Sequence, residues 1–273
     1  MQRRRPFRAA RTSSAGGLGL RALVALLLVV GGAVDIGATP IRMRYAEAPS
    51  HAFLVLTDLV GKTLADGELV QWQERRVLAN RLVFRFDDGS LYDETVRFSA
   101  RPVFRLESYR LVQRGPSFPD GSDVQFERAG HWTSRKHGAD DTNEPASGEV
   151  AVPDDAYNGM TSTLLKNLDA GTETTVHVLA FTPRPTLVEM RLASEGSDPF
   201  WVVGARHTAT RFLVTPKVVG VKGVVASVIG KQPAPVRFWL TAGRVPTFVR
   251  FEGALYTGGP TWRIELASVR WKR

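Results

Sequence analysis

From His51 onward, apolar and polar positions alternate with a period of two, the pattern of strands that bury one face. Gly67–Trp72, Val77–Phe86, Leu91–Phe98 and Val103–Gln113 read as successive strands, whereas Ile41–Ser50 before them has no period. The best-defined hairpin runs Leu82-Val83-Phe84-Arg85-Phe86, then Asp87-Asp88-Gly89, then Ser90-Leu91-Tyr92-Asp93-Glu94. A three-residue loop with glycine in the left-handed conformation explains this turn, since glycine has no Cβ to clash there. The register pairs Phe86 with Ser90, Phe84 with Tyr92 and Leu82 with Glu94. One face then carries Leu82, Phe84, Phe86, Tyr92, Val96 and Phe98, and the other Arg81, Arg85, Asp93 and Arg97.

Gly115–Gly148 is the most polar stretch. It accommodates short strands at Asp123–Arg128 and Gly130–Lys136 and a loop from His137 to Ser147. One helix is predicted at Met160–Leu168, where Met160, Leu164, Leu165 and Leu168 share a face. Thr161 or Ser162 is the expected cap, Gly171 the expected stop, and Asp154-Asp155 the expected partner of the positive helix end. Strands resume at Glu173–Phe181, Leu187–Ala193, Phe200–Val203, His207–Val214, Val218–Ile229 and Val236–Leu240. A closing meander spans Thr247–Tyr256 and Thr261–Trp271. The fold class is therefore mainly β: a long antiparallel curved sheet, half-barrel or barrel, with one short helix.

The first residues follow a different pattern. Six arginines and no acids stand in residues 1–33, and an apolar run begins at Ala22 and extends through Val34. A membrane-spanning helix needs roughly 20 apolar residues, a secretory signal only about 7–15 between a basic start and small residues. Residues 1–38 are thus expected to be a signal peptide cleaved near 33 or 38, ahead of a single β-rich extracytoplasmic domain at 39–273. The alternative is an uncleaved segment anchoring the chain in the inner membrane. Arg4-Arg5-Pro6-Phe7 resembles a twin-arginine export signal. Localisation is expected to be periplasmic or secreted, with transient membrane contact through the signal only.

Charge and cysteine content change the picture twice. Six of the nine net positive charges fall in residues 1–33, leaving +3 for the remainder. Those remaining basic residues are interspersed with acids, so nucleic acid is not an expected partner. The chain contains no cysteine. An exported domain of this kind must be held by its core alone, and no lipid attachment to a cysteine is expected.

Motifs for chemistry are sparse. The histidines are His51, His131, His137, His177 and His207, none at a helical metal-binding spacing. His131 and His137 can share a strand face near Asp140 and Asp141, but a solvated loop is the preferred account of them. No G-x-S-x-G nucleophile elbow occurs, and Asp87-Asp88 is explained by its turn. No catalytic residue, cofactor or metal site is expected. One residue breaks the local pattern: the register places Glu94 on the aromatic face, where an ionised carboxylate is costly. A bulge turning it outward, a structural arginine partner, or a role as polar anchor inside a ligand cavity would each resolve this.

Gly67-Glu68-Leu69 through Asp93-Glu94-Thr95 is one stretch with a resemblance. Phe238-Trp239-Leu240-Thr241-x-Gly243-x-x-Pro246 through Trp262-Arg263-Ile264-Glu265-Leu266 is the other. Together they resemble uncharacterised exported bacterial β-rich proteins. The implied architecture is similar to the half-barrels of periplasmic lipoprotein carriers. The resemblance supplies no residue motif to transfer.

These readings lead to a non-enzymatic periplasmic or envelope protein that binds a lipid or apolar small molecule in a curved β-sheet. Phe84, Phe86, Tyr92, Glu94, Phe98, Met160, Leu164 and Trp239 are the candidate ligand-binding residues, with the helix as plug or lid. The alternative is a structural or envelope-interaction module without a ligand, and a hydrolase is third.

Overall fold

Among the residues that the structure describes, the alternation in the sequence becomes a single antiparallel sheet of fifteen strands with one short helix. The computed structural model describes residues 40–137, 144–169, 171–181, 184–218 and 233–271. The leader, the Asp140-Asp141 loop and most of the strand expected at Val218–Ile229 lie outside the described residues.

The first meander comprises β1 (Ser50–Thr57), β2 (Thr63–Glu74), β3 (Val77–Phe86), β4 (Leu91–Ser99), β5 (Arg105–Arg114), β6 (Gly121–Glu127), β7 (His131–His137) and β8 (Ala146–Glu149). Helix α1 (Thr161–Asn167) follows. The second meander is β9 (Thr174–Phe181), β10 (Pro185–Val202), β11 (Ala205–Val218), β12 (Val236–Thr241), β13 (Phe248–Gly253) and β14 (Trp262–Leu266), closed by β15 (Val269–Trp271). The two meanders join where β14 pairs with β1, Leu54 facing Leu266 and Leu56 facing Ile264. At the other end of the second meander, β9 lies beside Pro185–Leu192 of β10 and β15 beside Phe200–Val202.

The hairpin register is the one the side-chain pattern dictates. Phe84 faces Tyr92 and Leu82 faces Glu94. The Phe86 N–H donates to the Ser90 carbonyl at 3.0 Å, and Gly89 adopts φ 85° at the tip. Asp88 Oδ1 accepts from the Ser90 N–H at 2.9 Å, the turn role expected of it. On the outer face, Arg81 pairs with Asp93 and Arg97 with Glu74.

No strand pairing closes the sheet among the described residues. A strap at residues 155–158 instead runs along the outer edge of β9. Ala156 and His177 form a parallel bridge, and the Tyr157 N–H donates to the His177 carbonyl at 2.9 Å. The Asn158 side chain imitates a strand, accepting from the Leu179 N–H and donating to the Leu179 carbonyl, both at 2.8 Å. Phe181 of β9 meets Phe126 of β6 and Trp132 of β7 with ring centroids 5.8 and 5.9 Å apart. The two ends of the sheet are therefore brought together around α1. Met160, Leu164 and Leu165 are buried in one cluster with Val96, Phe98 and Leu106 from one wall and Val176, Leu192 and Val214 from the other. A second cluster, containing Leu54, Phe84, Phe86, Phe118, Phe251 and Trp262, fills the far part of the concave face.

Four details differ from the sequence expectation. Gly115–Gly148 yields a further strand, β8, within what read as loop. Leu187–Ala193 and Phe200–Val203 are parts of one strand, β10, with a bulge between Ser194 and Gly196. The intervening residues lie past the end of β9 and short of β15, so among the described residues that edge has no strand partner. Polar residues and Pro199 are tolerated there, and the stretch resembles a loop. The helix is capped by Met160 without a side-chain hydrogen bond and ends at an extended Leu168, not at Gly171. Asp154 and Asp155 do not serve the helix end: Asp154 pairs with Arg105 and Arg128, and Asp155 with His177.

Candidate functional site

Where the two core clusters meet, the concave face leaves a cavity of about 650 Å³. Sites for small ligands generally span about 300–1,000 Å³. Its walls come from both meanders. Leu82 and Val96 belong to β3 and β4, Val188 and Met190 to β10, and Phe238 and Phe251 to β12 and β13. Thr257 and Gly258, which also border it, are exposed, so this side faces solvent. The walls are overwhelmingly apolar because each strand directs every second residue inward, and those inward positions are the apolar half of the alternation.

Polar lining residues stand on β3 (Asn80), on β4 (Tyr92, Glu94), at the start of α1 (Thr161, Ser162) and at Thr257. Glu94 lines the cavity and is the sole Asp, Glu, Lys, Arg or His among the described residues that do. Its Oε1 accepts a hydrogen bond from the Tyr109 hydroxyl at 2.7 Å. Burial raises the Glu94 pKa above the ordinary carboxylate range, and hydrogen bonds from Tyr109 and Tyr92 offset part of that shift. Burial, and then the charge of Glu94, push both tyrosines well above their usual value. Asn80 also lines the cavity, and its buried Oδ1 has no hydrogen-bond partner among the described residues. Gly159, at φ 69°, brings backbone over this corner. A Cβ there would lie 3.2 Å from Tyr109, 3.3 Å from Val96 and 3.4 Å from the Glu94 carboxyl carbon.

The eight candidate residues fall into three groups. Tyr92 and Glu94 border the cavity. Phe84, Phe86, Phe98, Met160 and Leu164 are packed into the surrounding core. Phe84 lies against Gly67, Phe86 against Phe118 and Trp262, and Phe98 against Phe104. Trp239 belongs to the outer face. It packs with Phe200, Ala209 and Val249 and donates its Nε1–H to Asp198 at 2.7 Å, with the Arg250 guanidinium 5.4 Å from its ring centroid. The alternation itself carries the correction, since Val236 and Phe238 share the cavity face of β12 and Trp239 has the opposite parity. Size made Trp239 conspicuous; position excludes it. Asn80 shares the inward parity of Leu82 and Phe84, but nothing in the sequence marks it as facing open space; Tyr109 was missed because its approach to Glu94 depends on the register between β4 and β5.

Of the three arrangements open for Glu94, the register leaves no bulge to turn it outward, and its partners are tyrosines, not an arginine. The half-buried pair of Asp155 Oδ2 with His177 Nδ1, at 2.6 Å, belongs to the strap along β9. Among the described residues, no group of three or more His, Asp or Glu side chains is placed to hold a metal ion. The arrangement is suited to enclosing an apolar body and meeting a polar group at one corner.

The chain matches no protein-family model and none of the curated proteins compared with it. Among solved structures it is similar to a beta-barrel-like protein of domain of unknown function DUF1849 from Brucella abortus, at 9% identity and a TM-score of 0.43, over 85% of this chain and 100% of that one.

Proposed function

We propose that this is an exported envelope protein that binds an apolar or lipid-like ligand without transforming it. The observation that carries this reading is the cavity of about 650 Å³ on the concave face, apolar on nearly all sides. A purely structural module would gain most by filling such a space, because a void forfeits dispersion contacts along its lining. The ligand gains by the same physics, at about 25 cal/mol for each Å² of apolar surface removed from water. The leader belongs to the proposal. A basic start, a short apolar run and small residues near 33 and 38 direct the chain out of the cytoplasm.

Native mass spectrometry of protein purified from the envelope of cells expressing the full chain, followed by organic extraction, tests both parts. Co-purifying acyl species and an intact mass that begins near residue 34 or 39 are expected. An interior that takes up neither endogenous lipid nor added hydrocarbon probes would refute the binding reading.

A further inference from the structure

The corner of the cavity at Glu94 holds two acceptor groups, the Glu94 carboxyl and the Asn80 amide oxygen, and, among the described residues, no cation. When ionised, Glu94 can accept about four hydrogen bonds, of which the Tyr109 hydroxyl supplies one at 2.7 Å. Asn80 adds a buried oxygen without a partner among the described residues. In the β3–β4 ladder Leu82 faces Glu94 and Asn80 faces Val96, so Asn80 and Glu94 are diagonal neighbours on the same face. The described lining contains no Lys, Arg or His. An anionic head placed here would meet Glu94 with no cation to receive it. A head that carries donors and positive charge would meet two unspent acceptors beneath an apolar chamber.

Resting on the binding reading above, we infer that the cavity selects single-chain amphiphiles with a primary ammonium head, the head seated between Glu94 and Asn80 and the hydrocarbon chain against the apolar walls. The ammonium presents three donors and one positive charge, which matches the carboxylate and the amide oxygen together. Low surrounding polarity strengthens this contact, since water is not competing for the same groups. Gly159 contributes by proximity: a side chain there would lie 3.4 Å from the Glu94 carboxyl carbon and take space beside it.

The test uses protein expressed from the full chain, stripped of bound lipid, and three probes with the same tail: dodecylamine, dodecanol and dodecanoic acid. Each is titrated calorimetrically below its micelle-forming concentration. The amine is expected to bind about tenfold or more tighter than the acid, with the alcohol between, the separation set by one charge-assisted contact. Glu94→Gln is expected to remove the preference for the amine, so that amine and alcohol bind this variant alike, and a cooperative urea transition shows that it is folded. Equal or tighter binding of the acid, or an unchanged order in Glu94→Gln, overturns the head-group inference and leaves the apolar cavity standing. Failure of all three probes to bind overturns the binding reading itself, and the inference with it.

Discussion

Gly67 is the position where a single methyl group should do most damage to the sheet. A Cβ added there would lie 2.3 Å from two ring carbons of Phe84 and 2.9 Å from the Val83 carbonyl oxygen. Carbon atoms in contact normally sit about 3.5–4.0 Å apart, so the ring would have to retreat by more than an ångström. It has no free space on its own side. Phe84 is 0% exposed, and the Tyr92 ring lies beyond it at 6.3 Å. Overpacking of this kind costs about 1–3 kcal/mol, and Gly67→Ala is expected at the upper end of that range. Phe84→Ala alone removes the buried ring and is expected to cost about 3–5 kcal/mol. Combined, the added methyl enters space the ring has left, so the double variant should be less destabilised than the sum by about 0.5–3 kcal/mol. Urea unfolding followed by tryptophan fluorescence gives each midpoint and slope. A Gly67→Ala protein as stable as the parent, or strictly additive losses, would show that the ring does not rest on this glycine.

Three further predictions concern the helix, the strap and the buried carboxyl. Leu164→Ala, at a side chain 1% exposed between the two walls, should cost about 2–5 kcal/mol in the same assay; a loss below 1 kcal/mol would mean that α1 is not packed as a plug. Asn158→Ala strips both partners from the Leu179 backbone and should cost about 1–3 kcal/mol for each group left dry, with faster amide exchange confined to β9; protection unchanged there would refute the strap. Glu94 keeps its proton in the folded state after the unfolded chain has released it, because burial raises its pKa. Rising pH therefore favours the unfolded chain from the ordinary carboxylate range up through the raised folded value. Relative to Glu94→Gln, the parent should lose up to about 1.4 kcal/mol of stability per pH unit in that window and run parallel below it. A difference between the two that is constant with pH would refute this.

The alternation of Leu82, Phe84 and Phe86 against Arg81 and Arg85 was enough to place a hairpin in register, because a slip of one residue would reverse both faces at once. The same legibility fails where a strand lacks a neighbour on one side. Ser194-Glu195-Gly196-Ser197-Asp198-Pro199 obeys the rules of an edge and reads as loop, although it continues β10. The cavity was only half legible. Parity marks which residues point inward, as it does for Tyr92 and Glu94, but not which inward positions lack a facing neighbour. Phe84 and Phe98 point the same way as Glu94 and meet neighbours, Phe84 at Gly67 and Tyr92 and Phe98 at Phe104, whose facing positions parity alone does not give. Trp239 shows the complementary error, where bulk outweighed parity.

The position of β1 in the middle of the sheet, between β2 and β14, has a consequence for how the chain acquires its shape. Strands β1 to β8 can pair in the order in which they are synthesised, each with its predecessor. The other edge of β1 finds its partner only when Trp262–Leu266 arrives, about 200 residues later. Until then Leu54 and Leu56 sit on an open edge, able to template a strand from another chain. Pairings this distant in sequence form slowly, since loop closure precedes the contacts that reward it. Immature chains are therefore most vulnerable to self-association at Ser50–Thr57, and a holding chaperone that shields that segment would protect the half-built sheet most effectively.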